Sequence, residues 1–370
     1  MKLTAVELRR VRMPLVAPFR TSFGTQTERD VLLVRAFGDD GEEGWGECIA
    51  PSAPVYSSEY VDGAAEVIRR FLLPPLFDLA ELTAAQVAPA VGATVGHQMA
   101  KAALEMAVLD AEVRAAGRSF ADALGAVRDA VECGVAVGIM PSMPALLDAV
   151  DDYLARGYRR IKLKITPGWD VEPVAAVRER FGDDVPLQVD ANSAYSLVDI
   201  ARLEELDRFG LLLIEQPFGQ EQLRAHAELA RRIRTPVCLD ESVTSAQAAV
   251  EAIALGACQV VNVKAGRVGG YLEARRVHNV CAAAGVPVWC GGMLETGLGR
   301  AANVALAALP NFTLPGDTSA SDRYFHEDLT EPFVLQDGCL RVPTGPGLGV
   351  APLPERLAAT TTAVETIRSC

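Results

Sequence analysis

Five charged residues stand at nearly equal steps through the middle of the chain: Lys164, Asp190, Glu215, Asp240 and Lys264, spaced 26, 25, 25 and 24 residues apart. Each ends a short apolar run: RIKLK, LQVD, LLLIE, VCLD and VVNVK. A short apolar run, a helix-length segment and another such run form the signature of a βαβ unit. Roughly 25 residues accommodate one strand, one helix and two loops. A polar residue at the same place in every unit therefore marks one end of a parallel sheet. In a (β/α)₈ barrel that end is the mouth, where side chains from several strands converge. The register predicts three carboxylates flanked by two lysines around one pocket.

Eight strand candidates fall near residues 135, 162, 188, 213, 238, 261, 288 and 313, the first in CGVAVGIM and the last in NFTLPGD. They place a barrel at about residues 126–322. The pattern upstream is different. Residues 1–50 read as β structure, in VELRRVRMPL and VLLVRAFG, with turn residues in DDGEEGWGEC. Residues 58–125 read as helical. SEYVDGAAEVIRRFLLPPLF has apolar residues at helical spacing and is expected to stop at Pro74–Pro75, and GHQMAKAALEMAVLDAEVRAAG is an Ala-rich helix closed by Gly117. A β-then-α segment predicts a separate α+β capping domain over residues 1–125. The tail, residues 323–370, reads as short strands and turns in PFVLQDGCLRVP and PTGPGLG, and is expected to complete that domain.

At 370 residues the chain is long enough for both units, and a formal charge of −13 argues against a nucleic-acid surface. No apolar run reaches the roughly 18–20 residues of a membrane span. The segment MKLTAVELRRVRMP has no signal-peptide apolar stretch, so a cytoplasmic protein is expected. The eight Cys lie far apart with no C-x-x-C pair, and read as buried free thiols rather than as a disulfide or zinc framework. His97, His226, His278 and His326 show no ligand spacing, and the two in helical stretches, His226 and His278, read as incidental.

Three carboxylates at one mouth repel each other unless a cation neutralises them. Asp190, Glu215 and Asp240 are hard oxygen donors, which select Mg²⁺ or Mn²⁺ over zinc. The alternative is that each caps its own following helix. Asn192 and Glu241, just beyond the outer two carboxylates, either orient them and their bound water or are ordinary loop residues. Lys162 and Lys164 are two apart and face the same way on a strand, with Leu163 marking the opposite, apolar face. Two neighbouring ammoniums lower each other's pKa, as does burial, and a lysine so tuned serves as a general base. The plainer reading is snorkelling at a strand end. Lys264 would lie across the barrel from Lys164. A carboxylate bound to a divalent cation has an acidified α-C–H, and bases on its two faces permit 1,1-proton transfer through a metal-stabilised enolate.

Between the first two strands, VAPFRTSFGTQTERD carries Phe19 and Phe23. It is either a surface loop or a lid presenting aromatics to a substrate. The Gly-rich AGRVGGY and CGGMLETGLGR either bind an anion or are tight turns, and G-R-V-G-G is not a dinucleotide fingerprint.

On K-L-K (162–164), V-D-A-N (189–192), I-E-Q-P (214–217), L-D-E-S (239–242) and N-V-K (262–264), the chain resembles the enolase superfamily in its muconate-lactonising subgroup. It is more closely similar to the N-succinylamino acid racemase / o-succinylbenzoate synthase family, over almost its whole length. The likeness includes VAPFRTSFGTQ, GWGEC, YSSEY, ALEMAVLDAE, the long stretch from PVWCGGMLETGLGR to SDRYF, and PTGPGLGV. This resemblance implies an α/β fold: a modified (β/α)₇β TIM-type barrel under an α+β capping domain. It implies Asp190, Glu215 and Asp240 as ligands of Mg²⁺ or Mn²⁺, Lys164 and Lys264 as the acid/base pair, and Lys162 as an assistant to Lys164. Residues 16–26 would be a mobile lid. Phe19, Phe23, Tyr56, Ala136, Gly292, Met293 and Leu294 would contact the substrate. Two positions depart from the pattern: Ala136, where relatives often carry Ser, and Ala265, where they often carry Pro.

The implied activity is racemisation of N-acylamino acids, N-succinyl ones foremost. The alternative is o-succinylbenzoate synthase, a dehydratase of menaquinone biosynthesis, or both activities together, with dipeptide epimerase third. A Schiff-base aldolase could use an interior lysine but would not need the carboxylates. A non-catalytic metal-binding protein leaves the opposed lysines unexplained. The expected partner is a small carboxylate substrate, with no nucleic acid and no membrane, and a homo-oligomer is expected because symmetric self-association is common.

Overall fold

The computed structural model describes residues 1–369, so Cys370 lies outside the described residues. Strands β1 (Leu3–Thr21), β2 (Gly24–Gly38) and β3 (Glu43–Cys48) form an antiparallel meander. Along β1, Leu3, Val6, Leu8, Val11 and Met13 are buried, which fixes the face turned to the core. The segment VAPFRTSFGTQTERD is not an irregular loop. It is the far half of the β1–β2 hairpin, in which Thr21 pairs with Gly24 around a two-residue turn of Ser22 and Phe23. Its register shifts between Pro14 and Phe19, a stretch in which Pro14 and Pro18 bring no N–H to the ladder.

In GWGEC the two glycines let β3 lie directly on the helix Gln98–Ala115. A Cβ on Gly44 would come within 2.2 Å of the Ala107 carbonyl oxygen, and one on Gly46 within 2.0 Å of that of Ala103. That Ala-rich helix is buried from Met99 to Val113 on nearly all sides, as befits an element packed between two layers. Pro74–Pro75 do not end the preceding helical stretch. Helix Val61–Val67 passes through a π-helical turn, Ile68–Leu72, into a further α-turn, Leu73–Phe77. The prolines fall at the first positions of that turn, where their missing N–H groups leave no bond unmade.

The chain then enters the barrel. After a short strand β4 (Ala130–Glu132) come β5 (Gly134–Val137), β6 (Arg160–Lys164), β7 (Leu187–Asp190), β8 (Ile214–Glu215), β9 (Val237–Leu239), β10 (Val260–Val263) and β11 (Val288–Cys290). The seven from β5 to β11 form one parallel sheet in sequence order. The expected eighth strand near residue 313 is not a regular strand. Pro310 and Pro315 flank it, and it closes the ring through isolated bonds: Thr313 N–H to the Val288 carbonyl, Asp317 N–H to that of Cys290, and Gly134 N–H to that of Gly316. Among the described residues no α-helix packs behind it: a single 3-10 turn, Ser321–Arg323, follows, and the next α-helix is Pro354–Thr360. The architecture is a (β/α)₇β barrel.

Past the barrel, β12 (Cys339–Arg341) pairs with β4, away from the N-terminal sheet. The strand that joins that sheet is one the sequence reading did not foresee, β13 (Thr361–Arg368). It runs antiparallel to β1, with Ala5 opposite Arg368, and gives the cap the order β13-β1-β2-β3. Cys48, Cys133, Cys238, Cys258, Cys281 and Cys290 are buried free thiols, and Cys339 is a half-buried one. His226 and His278 accept backbone N–H bonds from Phe218 and Asn311, which is a structural role. Among the described residues no helix is long and apolar enough to cross a membrane.

Candidate active site

Every residue of β6 is buried, and the alternation of its side chains sends Arg160, Lys162 and Lys164 into the barrel while Ile161 and Leu163 face the helices. Lys164 pairs in register with Asp190 on β7, and Asp190 with Glu215 on β8. Asp240 follows β9, and Lys264 follows β10. The equal steps in the sequence thus become one ring of side chains at one end of the sheet. All five are buried, with Glu215 and Asp240 at 0% exposure.

The charges are tightly interleaved. Lys162 Nζ lies 3.0 Å from Asp190 Oδ2, 2.8 Å from Glu215 Oε2 and 2.9 Å from Asp317 Oδ2. Lys164 donates to Asp190 Oδ2 at 2.5 Å and to Asn192 Oδ1 at 2.7 Å. Across the ring, Lys264 donates to Asp240 Oδ2 at 2.7 Å and to Tyr56 Oη at 3.0 Å. Asn262 holds Glu215 from behind through its Nδ2 at 2.7 Å, and Asn192 Nδ2 donates to Glu241 at 3.2 Å. Gln216 accepts the backbone N–H groups of Asp240 and Ser242. Asn192, Ser193 and Gln216, just after two of the carboxylates, adopt positive φ without being glycines, a strain typical of functional sites.

Burial raises the Glu215 carboxyl to about 7, helped by the negative charges of Asp190 and Asp240. Asp190 goes the other way. Burial raises it, but Lys162 and Lys164 outweigh that and hold it well below the usual carboxylate range. The mutual lowering expected for the paired lysines is overturned for Lys162. Burial lowers its pKa, and Asp190, Asp317 and Glu215 together reverse the effect and leave it well above the ordinary value. Lys264 is raised in the same way by Asp240 and Glu241 against its burial.

Three residues of the site escaped the sequence reading. Asp317 bridges Lys162 and Arg160, with Arg160 Nη1 at 2.8 Å. It stands at the end of NFTLPGD, where the equal-step rule would have placed an eighth rung. Trp289, fully buried on β11, lies under the Lys162 ammonium at 4.7 Å from its ring centre. Arg267, three residues past Lys264, has its Nε 3.1 Å from Asp240 Oδ1 and its guanidinium over the Tyr56 ring.

Lys162, Lys164, Asn192 and Lys264 line one cavity of about 50 Å³. Phe19, Phe23, Tyr56, Ala136, Gly292, Met293 and Leu294 line the same cavity. Phe19 meets Tyr324 edge-on, and Phe23 packs on Tyr56 at 5.8 Å between centres. The hairpin tip touches the mouth through Ser22, which donates to the Asn192 carbonyl, and through the Arg20 carbonyl, which accepts from Ile139 N–H.

Among the described residues, no three carboxylate, imidazole or thiol side chains stand close enough to enclose an ion as they are. The lysine ammoniums occupy the carboxylate oxygens instead. The donor set nonetheless fits a hard divalent cation, being three buried carboxylates from adjacent strands with no nitrogen or sulfur among them. Two buried acceptors beside them, Glu241 Oε2 and Asn262 Oδ1, have no hydrogen-bond partner among the described residues, and burial with the charges of Asp240 and Asp190 holds the Glu241 carboxyl well above its usual range.

Residues 3–125 match the family described as mandelate racemase / muconate lactonizing enzyme, N-terminal domain, and residues 145–356 match enolase C-terminal domain-like. An N-succinylamino acid racemase of Amycolatopsis sp. is 69% identical over 363 residues, covering 98% of each chain. An o-succinylbenzoate synthase of Geobacillus kaustophilus is 48% identical over 345 residues, covering 93% of this chain and 92% of the other. A solved structure of an enolase superfamily member from Listeria innocua superposes with a TM-score of 0.96 over 100% of both chains at 39% identity. The chain belongs to the enolase superfamily, in its muconate-lactonising subgroup.

Proposed function

We propose that this enzyme racemises N-acylamino acids, N-succinyl derivatives foremost, by 1,1-proton transfer between two lysines. One observation carries the reading: Lys164 and Lys264 reach a single cavity from β6 and β10, four positions apart in the ring, with Asp190, Glu215 and Asp240 on the three strands between them. In a ring of eight positions, strands so separated lie roughly opposite. The 69% identity to a racemase supports the same reading.

Members of the enolase superfamily use a divalent metal, usually Mg²⁺. Asp190, Glu215 and Asp240 would hold Mg²⁺ or Mn²⁺ here, and the ion when bound supplies positive charge against the carboxylates and against charge developing on the substrate carboxylate. Lys164 removes the Cα proton from one enantiomer and Lys264 returns one to the opposite face. The roles exchange in the reverse direction, as microscopic reversibility requires. Lys162, pinned by Asp190, Glu215 and Asp317, keeps its positive charge beside Lys164 and stabilises the anionic state that proton removal creates. Asn192 orients Lys164, and Tyr56 orients Lys264. A cavity of about 50 Å³ is too small for an N-acylamino acid, so the hairpin tip carrying Phe19 and Phe23 swings out to admit it and returns to exclude water.

A second reading has its own support in the 48% identity to an o-succinylbenzoate synthase. Dehydration begins with the same proton removal, for which one lysine suffices as base while the other stabilises charge. Exchange of the Cα proton, followed by NMR in D₂O from pure L- and pure D-N-succinylphenylalanine with Mg²⁺ or Mn²⁺, separates the two. Exchange from both enantiomers with loss of optical rotation, abolished by EDTA, is expected. No exchange from either enantiomer, alongside turnover of the dehydratase substrate, would leave the synthase alone.

A further inference from the structure

Arg323 stands beside the cavity and has no part in the proton transfer. It is 8% exposed. Its Nη2 donates to the Ala136 carbonyl at 2.7 Å, and its Nε is buried with no hydrogen-bond partner among the described residues. The guanidinium lies over three rings, 4.8 Å from the centre of Tyr324, 5.1 Å from Tyr153 and 5.6 Å from Phe19. Ala136, Phe19 and Tyr324 all line the cavity. Arg323 is therefore one residue layer behind a wall of the cavity, at the β5 side of the barrel mouth.

Arg300, which shares the Tyr324 ring, also lacks a carboxylate partner but donates through both Nη atoms, to the Ser319 and Glu295 carbonyls, and the other neighbouring arginines are paired with carboxylates. Arg160 is matched by Asp317 at 2.8 Å, Arg267 by Asp240 at 3.1 Å and Arg156 by Asp322 at 2.7 Å. Arg323 has no carboxylate within 4.0 Å among the described residues. A buried cation with no counter-ion is costly, and contact with aromatic faces offsets only part of that cost. Such a charge is compensated when an anion enters next to it. Ala136 offers no side-chain hydroxyl to hydrogen-bond an acyl group, so the wall itself supplies shape and the guanidinium behind it supplies charge.

We propose that Arg323 sets the acyl preference of this site, favouring N-acyl groups that end in their own carboxylate over neutral ones of the same length. The proposal rests on the N-acylamino acid reading above and deepens it. With the α-carboxylate at the lysine and carboxylate ring, the far end of a succinyl chain would point to the wall formed by Phe19, Ala136 and Tyr324. A unit charge through a thin, partly buried wall is expected to change affinity by roughly tenfold.

The test measures binding by calorimetry for N-succinyl-L-phenylalanine and for its methyl ester at the succinyl carboxyl, with Mg²⁺ present, in the wild type, Arg323→Gln and Arg323→Lys. The wild type is expected to bind the acid roughly tenfold more tightly than the ester. Arg323→Gln is expected to lose that preference, and Arg323→Lys to keep most of it. A merely structural role would weaken acid and ester alike, and that result overturns the proposal. Equal binding of acid and ester by the wild type also overturns it. Racemisation is followed in the same samples. If the wild type discriminates in binding yet racemises neither compound, the functional reading fails and the charge selection stands. If it racemises both without discrimination, the charge selection fails alone.

Discussion

Asp190 and Glu215 face each other in register on neighbouring strands and share one ammonium, that of Lys162, yet their carboxyl groups are driven in opposite directions. Asp190 also holds Lys164, whereas the second oxygen of Glu215 meets only the neutral amide of Asn262. Of the three carboxylates expected to hold the metal, Glu215 is thus the one with the fewest cations against it, Lys162 alone.

That asymmetry has a consequence measurable without turnover. Adding Mg²⁺ or Mn²⁺ to EDTA-treated protein is expected to raise the melting temperature. At a concentration 100 times Kd, the stabilisation is about 3 kcal/mol. Glu215→Gln is expected to abolish the rise. An unchanged melting curve in the wild type would remove the metal from the site.

Removing one lysine is expected to leave half of the exchange chemistry. Lys164→Ala should abolish racemisation while leaving Cα–H exchange from the enantiomer that faces Lys264, and Lys264→Ala should do the converse. For the enantiomer that has lost its base, the rate should fall roughly 10²–10⁴-fold. Deuterium incorporation from each pure enantiomer distinguishes these outcomes. Equal loss from both enantiomers in both variants would rule out two-base transfer.

Lys264 also depends on empty space at Gly291. A Cβ there would come within 2.7 Å of Lys264 Cε and 2.2 Å of Asn262 Oδ1. Gly291→Ala is expected to displace both side chains and lower kcat more than tenfold, with the circular dichroism spectrum unchanged. Full activity in this variant would show that neither position is constrained.

The joint between cap and barrel should carry a pH signature. Glu105, in the buried helix of the cap, accepts the N–H groups of Tyr271 and Leu272 at the start of the barrel helix Tyr271–Ala283. Burial raises its carboxyl to about 7 from an ordinary 4.5. A carboxyl with a raised folded pKa binds its proton more tightly folded than unfolded. Its penalty is therefore absent below about pH 4.5, grows between 4.5 and 7, and is constant above. Glu105→Gln keeps an oxygen for the two N–H groups and has no such penalty. Relative to wild type, its stability is expected to improve between pH 5 and 8 by on the order of 3 kcal/mol. Denaturant curves at both pH values check this, and a constant difference between the two proteins would refute it.

The ladder of five residues was legible because a parallel barrel repeats its geometry, so equal sequence steps become equal positions at one mouth. The same logic failed at its eighth step for a physical reason. Pro310 and Pro315 remove N–H donors there, so the segment closes the ring without strand character, and Asp317 arrives at the mouth unannounced. The seven cavity-lining candidates were not visible as a pattern at all. They come from β1, its turn, the segment after β3, β5 and the segment after β11, and only whole-chain resemblance united them. The pKa of Lys162 was misjudged because its like-charged neighbour was weighed without the carboxylates around it: Asp190 and Glu215, already placed at the same mouth, and Asp317, 155 residues away and invisible as a partner in the sequence. The final strand was missed because Thr361–Arg368 carries no buried face, as its residues are exposed or half-buried throughout.

The pairing of Ala5 with Arg368 sets an order of assembly. On the ribosome, β1 and β2 can zip together early, but the outer edge of β1 waits until the entire barrel has been synthesised. Until then the cap exposes an unpaired strand edge, the element most prone to associate with other chains. Folding intermediates of this protein should therefore be most aggregation-prone just before residues 361–368 emerge, and a peptide of that sequence supplied in trans should protect a chain truncated at residue 360.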